Sequence, residues 1–122
     1  MSFRSPGAPL TGTVIVDNVD VTDFEDAGFY LLTSLGSVNI QVINGSDFDN
    51  NDDVNGTFGV FVESQNTASV TLLVDGSTFN DLESDAVRFM AGSFVGINRV
   101  DVLNSFSTNG GGPDNFPNGG GI

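Results

Sequence analysis

An all-β chain wound into stacked parallel coils, a β-solenoid, is the fold this sequence predicts, with a β-sandwich as the alternative. Three observations carry it. Helix signals are almost missing: between Leu10 and Thr108, short Val/Ile/Leu/Phe runs alternate with Asn, Asp, Gly and Ser clusters, the pattern of strands and turns. The chain also repeats itself. IVDNVDVTDF (15–24) and VTLLVDGSTF (70–79) align without gaps, VNIQVINGSDF (38–48) carries one extra residue, and VDVLNSF (100–106) is a shortened version. Finally, each of the first three is followed by an Asp/Asn-rich turn and a second strand: GFYLLT (28–33), GVFVES (59–64) and AVRFMA (86–91).

Taken in order, residues 1–12 contain Phe3, Leu10 and two prolines and read as an N-terminal cap or arm. Residues 13–108 read as about four coils, with starts at Val14, Val38, Val70 and Val100 and periods of 24, 32 and 30 residues. Residues 109–122 form a Gly/Pro/Asn-rich tail in which Asn-Gly-Gly-Gly recurs, a linker-like composition. A period of this size made of strands and turns indicates coils of a solenoid. Propeller blades need about forty residues each and close only after several. A sandwich shares the short strands and does not require the self-similarity.

In parallel coils, like positions stack about 4.8 Å apart, and alternate residues point inward. Val38, Ile40 and Val42, then Val70, Leu72 and Val74, are expected core columns. Leu31, Val62 and Phe89 form another column, and Phe29, Val60 and Val87 a further one. Phe24, Phe48, Phe79 and Phe106 are expected to stack at a corner. Asp20, Asn44, Asp75 and Asn104 are expected at equivalent turn positions, as a polar ladder that satisfies turn backbone groups. On the outer face, Tyr30, Phe61 and Arg88 stack, with Leu32, Glu63 and Met90 alongside. Arg88 is expected to pair with Glu63.

The phrase DGSTFND (75–81) before AVRF (86–89) resembles the right-handed parallel β-helix repeat family, whose pectate-lyase-like members carry similar strings. The resemblance covers residues 13–108. It implies a right-handed, single-stranded parallel β-helix. It also raises carbohydrate chemistry, because members use clustered aspartates with His-containing and basic motifs, or calcium-binding acids with an arginine base.

Composition weighs against that chemistry. Sixteen acidic residues face three basic ones, Arg4, Arg88 and Arg99, for a formal charge of −13, and there is no His, Lys, Cys or Trp. Disulfides, thiolate or histidine metal sites, Ser-His-Asp and Cys-His nucleophiles and Schiff bases are excluded within this chain. Nucleic acid is not an expected partner, because phosphate binding needs a basic surface. No apolar run approaches the ~18 residues of a membrane span. Eleven phenylalanines make a core feasible in so acidic a chain. Asp49, Asp52 and Asp53, in the most acidic turn, are the candidate ligands for Ca²⁺, which takes six to eight oxygens. Their spacing does not fit the twelve-residue calcium loop. No other cofactor is expected.

A solenoid leaves open ends that need caps, and no capping helix is evident. Tyr30, Phe61, Arg88, Met90, Phe116 and Ile122 are the candidate contact residues. The expected function is therefore a non-catalytic structural one: a self-assembling subunit of an extracellular fibre or surface layer, joined end to end or through the tail. The Asn/Ser/Thr/Gly-rich, lysine-free composition agrees with a cell-surface or extracellular location. Alternatives are a glycan- or Ca²⁺-binding adhesin module and, third, a carbohydrate-active enzyme fragment acting through Asp52 or Asp53.

Overall fold

A computed structural model describes residues 1–50, 58–93 and 96–108. The described residues form ten strands and no helix: β1 Ser2–Asp17, β2 Asp20–Thr22, β3 Ala27–Ile43, β4 Asp47–Asp49, β5 Phe58–Asn66, β6 Ser69–Asp75, β7 Thr78–Asn80, β8 Val87–Ser93, β9 Asn98–Leu103 and β10 Phe106–Thr108. Every strand pairing is parallel, which excludes the sandwich, whose sheets are antiparallel. β5 and β6 stack on the two halves of β3, and β8 and β9 extend that sheet from them, while β2, β4, β7 and β10 stack as a second sheet. The chain is a β-solenoid of about three turns, rather than the four coils expected.

The expected inward columns are present. Leu31, Val62 and Phe89 are in register, as are Phe29, Val60 and Val87. Val38, Ile40, Val42, Val70, Leu72 and Val74 are all buried. They pair directly as Val38–Val70, Ile40–Leu72 and Val42–Val74. Period-two alternation dictates this, because one face of each strand is apolar and the other polar.

The register of the outer coils differs from the expected repeat. Val14 lies beside Ile40, not Val38, and Ile40 continues through Leu72 to Val100. The Phe column shrinks to a pair, Phe48 and Phe79, with rings stacked 5.2 Å apart at 9°. Val21 occupies their column on the first coil and Ser107 on the last. Phe24 packs at the edge of the core, and Phe106 lies beside Thr78, 70% exposed. Aligning by Phe identity misplaces both ends, because Phe24 lies three positions beyond the column residue Val21 and Phe106 one position before Ser107.

Part of residues 1–12 joins the main sheet. Ser2–Ser5 and Pro9–Gly12 pair with β3, with a register break between Ser5 and Pro9. The break falls around Pro6, where the chain has no N–H to offer a ladder. β1 is an outermost strand, the place where proline is tolerated in sheets.

Two glycines are explained by the Phe pair. A Cβ on Gly28 would lie 2.5 Å from Phe48 Cδ1, and one on Gly59 would lie 2.3 Å from Phe79 Cδ1. The next residue in that row is Ala86, since Gly59 N donates to Asp85 O and Val60 N to Ala86 O. The last coil carries Ser107 in the Phe column, so a methyl group at Ala86 meets no ring.

Candidate functional site

The outward strip is aligned as expected: Tyr30, Phe61 and Arg88 share one row with Ser2, and Leu32, Glu63 and Met90 share the next with Arg4. Its aromatic rings pack together, Tyr30 against Phe61 at 5.2 Å and Phe58 against Phe61 at 5.0 Å. Phe58 escaped the sequence reading, because it lies in a turn region before the repeated strand. Two arginines cover these rings. Arg4 sits 4.9 Å from the Tyr30 ring centre, and Arg88 lies 5.0 Å from Phe58 and 5.7 Å from Phe61, geometry that favours cation–π attraction. The expected Arg88–Glu63 pair is replaced by Arg88–Asp85 at 3.8 Å. Glu63 instead accepts a hydrogen bond from the Tyr30 hydroxyl at 3.2 Å. A groove of about 480 Å³ runs along the strip, lined by Arg4, Asp26, Tyr30, Phe58, Phe61 and Glu63 among others.

Burial raises the Tyr30 pKa above the usual tyrosine value, and the charge and hydrogen bond of Glu63 raise it further, against the lowering effect of Arg4. The neutral phenol is therefore favoured in the folded chain. The stability it contributes is full below pH about 10. It falls as pH rises through the native value, because the unfolded chain loses that proton first. Tyr30 is the only tyrosine and there is no tryptophan, so ultraviolet phenolate absorbance reports this hydroxyl alone. The titration midpoint should lie above 10 and move down in Glu63→Gln; equal midpoints in the two proteins would contradict the hydrogen bond.

A second surface lies at the C-terminal end. Met90, Ile97, Val100, Leu103 and Phe106 are 46, 78, 38, 51 and 70% exposed. All belong to the last coil, where β8, β9 and β10 are outermost among the described residues. Of these, only Met90 had been a candidate. Sequence analysis placed Val100 at the start of a coil; among the described residues no strand lies beyond β9 to cover it. Phe116 and Ile122 lie outside the described residues.

In place of one ladder of four equivalent positions there are two separate pairs, because the register sets Asp17 beside Ile43 and Asp75 beside Leu103. Asn44 Nδ2 donates to Asp17 Oδ1, and Asn104 Nδ2 donates to Asp75 Oδ1, both at 2.9 Å. Asp20 belongs elsewhere: it pairs with Asp47 on the second sheet, so Asp17 takes the place expected for it. Asn18, Asn44 and Asn104 have φ of 51°, 57° and 49°, in the left-handed region that Asn tolerates best among residues with a side chain. Each rung thus places an amide against a carboxylate and avoids stacking two charges.

Sequence reasoning missed a serine ladder just beyond this turn. Ser46 and Ser77 are fully buried. Ser46 Oγ donates to Ile43 O at 2.9 Å, Ser77 Oγ faces Val42 O at 3.4 Å, and Ser105 Oγ accepts from Ser77 N at 3.2 Å. The signal was present as the Ser that follows Gly45, Gly76 and Asn104. Buried hydroxyls here bond turn carbonyls and amides, and Ile43 O accepts from both Asn18 N and Ser46 Oγ.

Of the calcium candidates, Asp49 pairs with Thr22 and Asn80 on the second sheet, while Asp52 and Asp53 lie outside the described residues. Nearby Asp47 accepts from Thr78 Oγ1 at 2.5 Å and Asn80 Nδ2 at 3.2 Å, so its charge is met by neighbouring coils. Among the described residues, no group of three or more acidic side chains converges to hold a metal ion. Among the same residues, no helix is long and apolar enough to cross a membrane. Comparison with protein-family models, curated proteins and solved structures returned no match.

Proposed function

We propose that the chain is a non-catalytic structural subunit, a β-solenoid that self-associates through its ends in an extracellular fibre or surface layer. The observation that carries this reading is the last coil. Five large apolar side chains stand exposed there, beside strand edges that have no strand partner among the described residues, the arrangement used in β-augmentation. The absence of His, Lys and Cys adds support, because it removes the commonest nucleophile activators. Acidic turns along the flanks repel other flanks and leave the ends to join. Sedimentation velocity at micromolar concentration tests this reading: oligomers or filaments are expected, and a single monomer boundary at all concentrations would overturn it.

A second reading has its own observation. The groove of Tyr30, Phe58 and Phe61 beside Glu63 and Asp26 offers aromatic faces and hydrogen-bond acceptors, the combination that suits a sugar ring. It fits a glycan-binding module of a surface adhesin. Glycan binding by calorimetry that disappears in Phe61→Ala would favour this reading. The pectate-lyase-like resemblance adds a sugar context of the same kind without supplying the basic and histidine motifs of those enzymes.

A further inference from the structure

Resting on the end-to-end association proposed above, we infer that the joint is tail to tail. Strand β9 of one copy pairs antiparallel with β9 of a second copy, Val100 opposite Val100, so that Arg99 of each faces Asp101 of the other.

The backbone parity of β9 fits this register. Val70 N donates to Ile97 O, and Gly76 N donates to Leu103 O, so the odd-numbered residues turn their peptide groups toward β6. Successive residues of a strand alternate sides, which leaves Asn98, Val100 and Val102 facing the outer edge. With a twofold axis through Val100, Val100 meets its copy and Asn98 meets Val102. Both are hydrogen-bonded pairs that exchange two N–H···O bonds. Arg99 then falls opposite Asp101 in the non-hydrogen-bonded kind of pair, in which Cα atoms approach to about 4.5 Å and side chains are closest. The side chains already lie on the same outward face, since Arg99 Nε sits 2.7 Å from Asp101 Oδ2 within one strand. Two such strands build a square of alternating charges, a self-complementary patch of the isologous type.

Charge selects this end over the other. Strands β8, β9 and β10 hold Arg88 and Arg99 against the single acid Asp101, in a chain of net charge −13. Two copies therefore meet here with less repulsion than at the acidic turns. The opposite end carries Pro6, Pro9 and a register break in β1, and proline and irregularity are how outer strands resist pairing. Growth from the dimer to a fibre therefore uses a contact other than strand pairing at that end. It also carries Asp17 and Asp20. Apolar burial follows from the same joint, because Val100 is 38% and Leu103 51% exposed and the second β9 covers them.

Sedimentation equilibrium of the full chain and of Arg99→Asp, Asp101→Arg and the double variant tests the joint. These side chains are exposed, 69 and 38%, so folding is expected to survive, and circular dichroism checks it. A dimer is expected for the wild type. Each single reversal puts like charges opposite one another and should weaken the dimer about tenfold or more, and the double variant should restore it. Oligomers indifferent to the single reversals overturn the tail-to-tail register and leave end-to-end association standing. A monomeric full chain overturns both.

Discussion

Phe79→Ala should lower the unfolding free energy by about 3–5 kcal/mol, the range for removing a buried aromatic side chain. Phe79 is 2% exposed and stacks on Phe48, and its ring also rests on the backbone of Gly59. The walls of the resulting cavity cannot close easily. Strands β4, β7 and β10 are held at one spacing by their ladders, so lateral collapse would break backbone hydrogen bonds. Urea unfolding should show a lower midpoint with an unchanged slope. A loss below about 1 kcal/mol would mean that the site relaxes and the stack is not a keystone. Gly59→Ala should itself cost about 1–3 kcal/mol by overpacking, since its Cβ would lie 2.3 Å from Phe79 Cδ1 and 2.7 Å from Ala86 O. In the Phe79→Ala background the ring clash disappears and only the carbonyl contact remains. The two changes should therefore combine to less than the sum of their separate costs.

Gly36→Ala should be nearly as damaging, at about 2–4 kcal/mol, for two separate reasons. Gly36 has φ +96°, which a residue with a Cβ adopts only under strain. A Cβ there would also lie 2.2 Å from Leu10 O and 2.9 Å from Leu10 C. Those atoms are backbone, so no rotamer change relieves the contact; β1 must move. Among the strands β1 pairs with β3 alone, so the expected consequence is local. Amide hydrogen exchange should quicken in Pro9–Asp17 before the β5–β8 pairing is affected. Uniform loss of protection throughout the chain would contradict this picture.

These two sites mark different degrees of legibility. The inward columns were readable because alternation is local: Val38, Ile40 and Val42 declare their face within five residues. The outward row of Tyr30, Phe61 and Arg88 followed from the same parity. The Phe79–Gly59 contact was not readable. It joins a short strand after one corner to a residue that precedes the other long face, and neither residue signals the other in the sequence. Gly36 likewise looks like an ordinary turn glycine until Leu10 is placed beside it.

The candidate surfaces divide in the same way. Arg99 and Asp101 were unremarkable as sequence, one of three arginines and one of many acids. They became a self-complementary pair only when β9 proved to be the last strand of its sheet among the described residues. The turn ladder shows an intermediate case. Its chemistry, amide against carboxylate, was visible in the repeated Asn and Asp. Its membership depended on whether Asp17 or Asp20 comes within reach of the Asn44 amide.

Strand class, the apolar columns and the polar turns thus belong to the primary sequence, because alternation and left-handed turn residues act over a few neighbouring positions. Register belongs to the fold. Parallel pairing joins residues about thirty positions apart, and a slip of one position sends every side chain to the opposite face. A one-residue difference in coil length, the extra residue near Gly45, and the starting register of each strand decide which residues stack. That register set Asp17 within reach of Asn44, reduced four phenylalanines to a stacked pair, laid Ser2–Ser5 and Pro9–Gly12 against β3, and left Val100, Leu103 and Phe106 exposed on the last described coil.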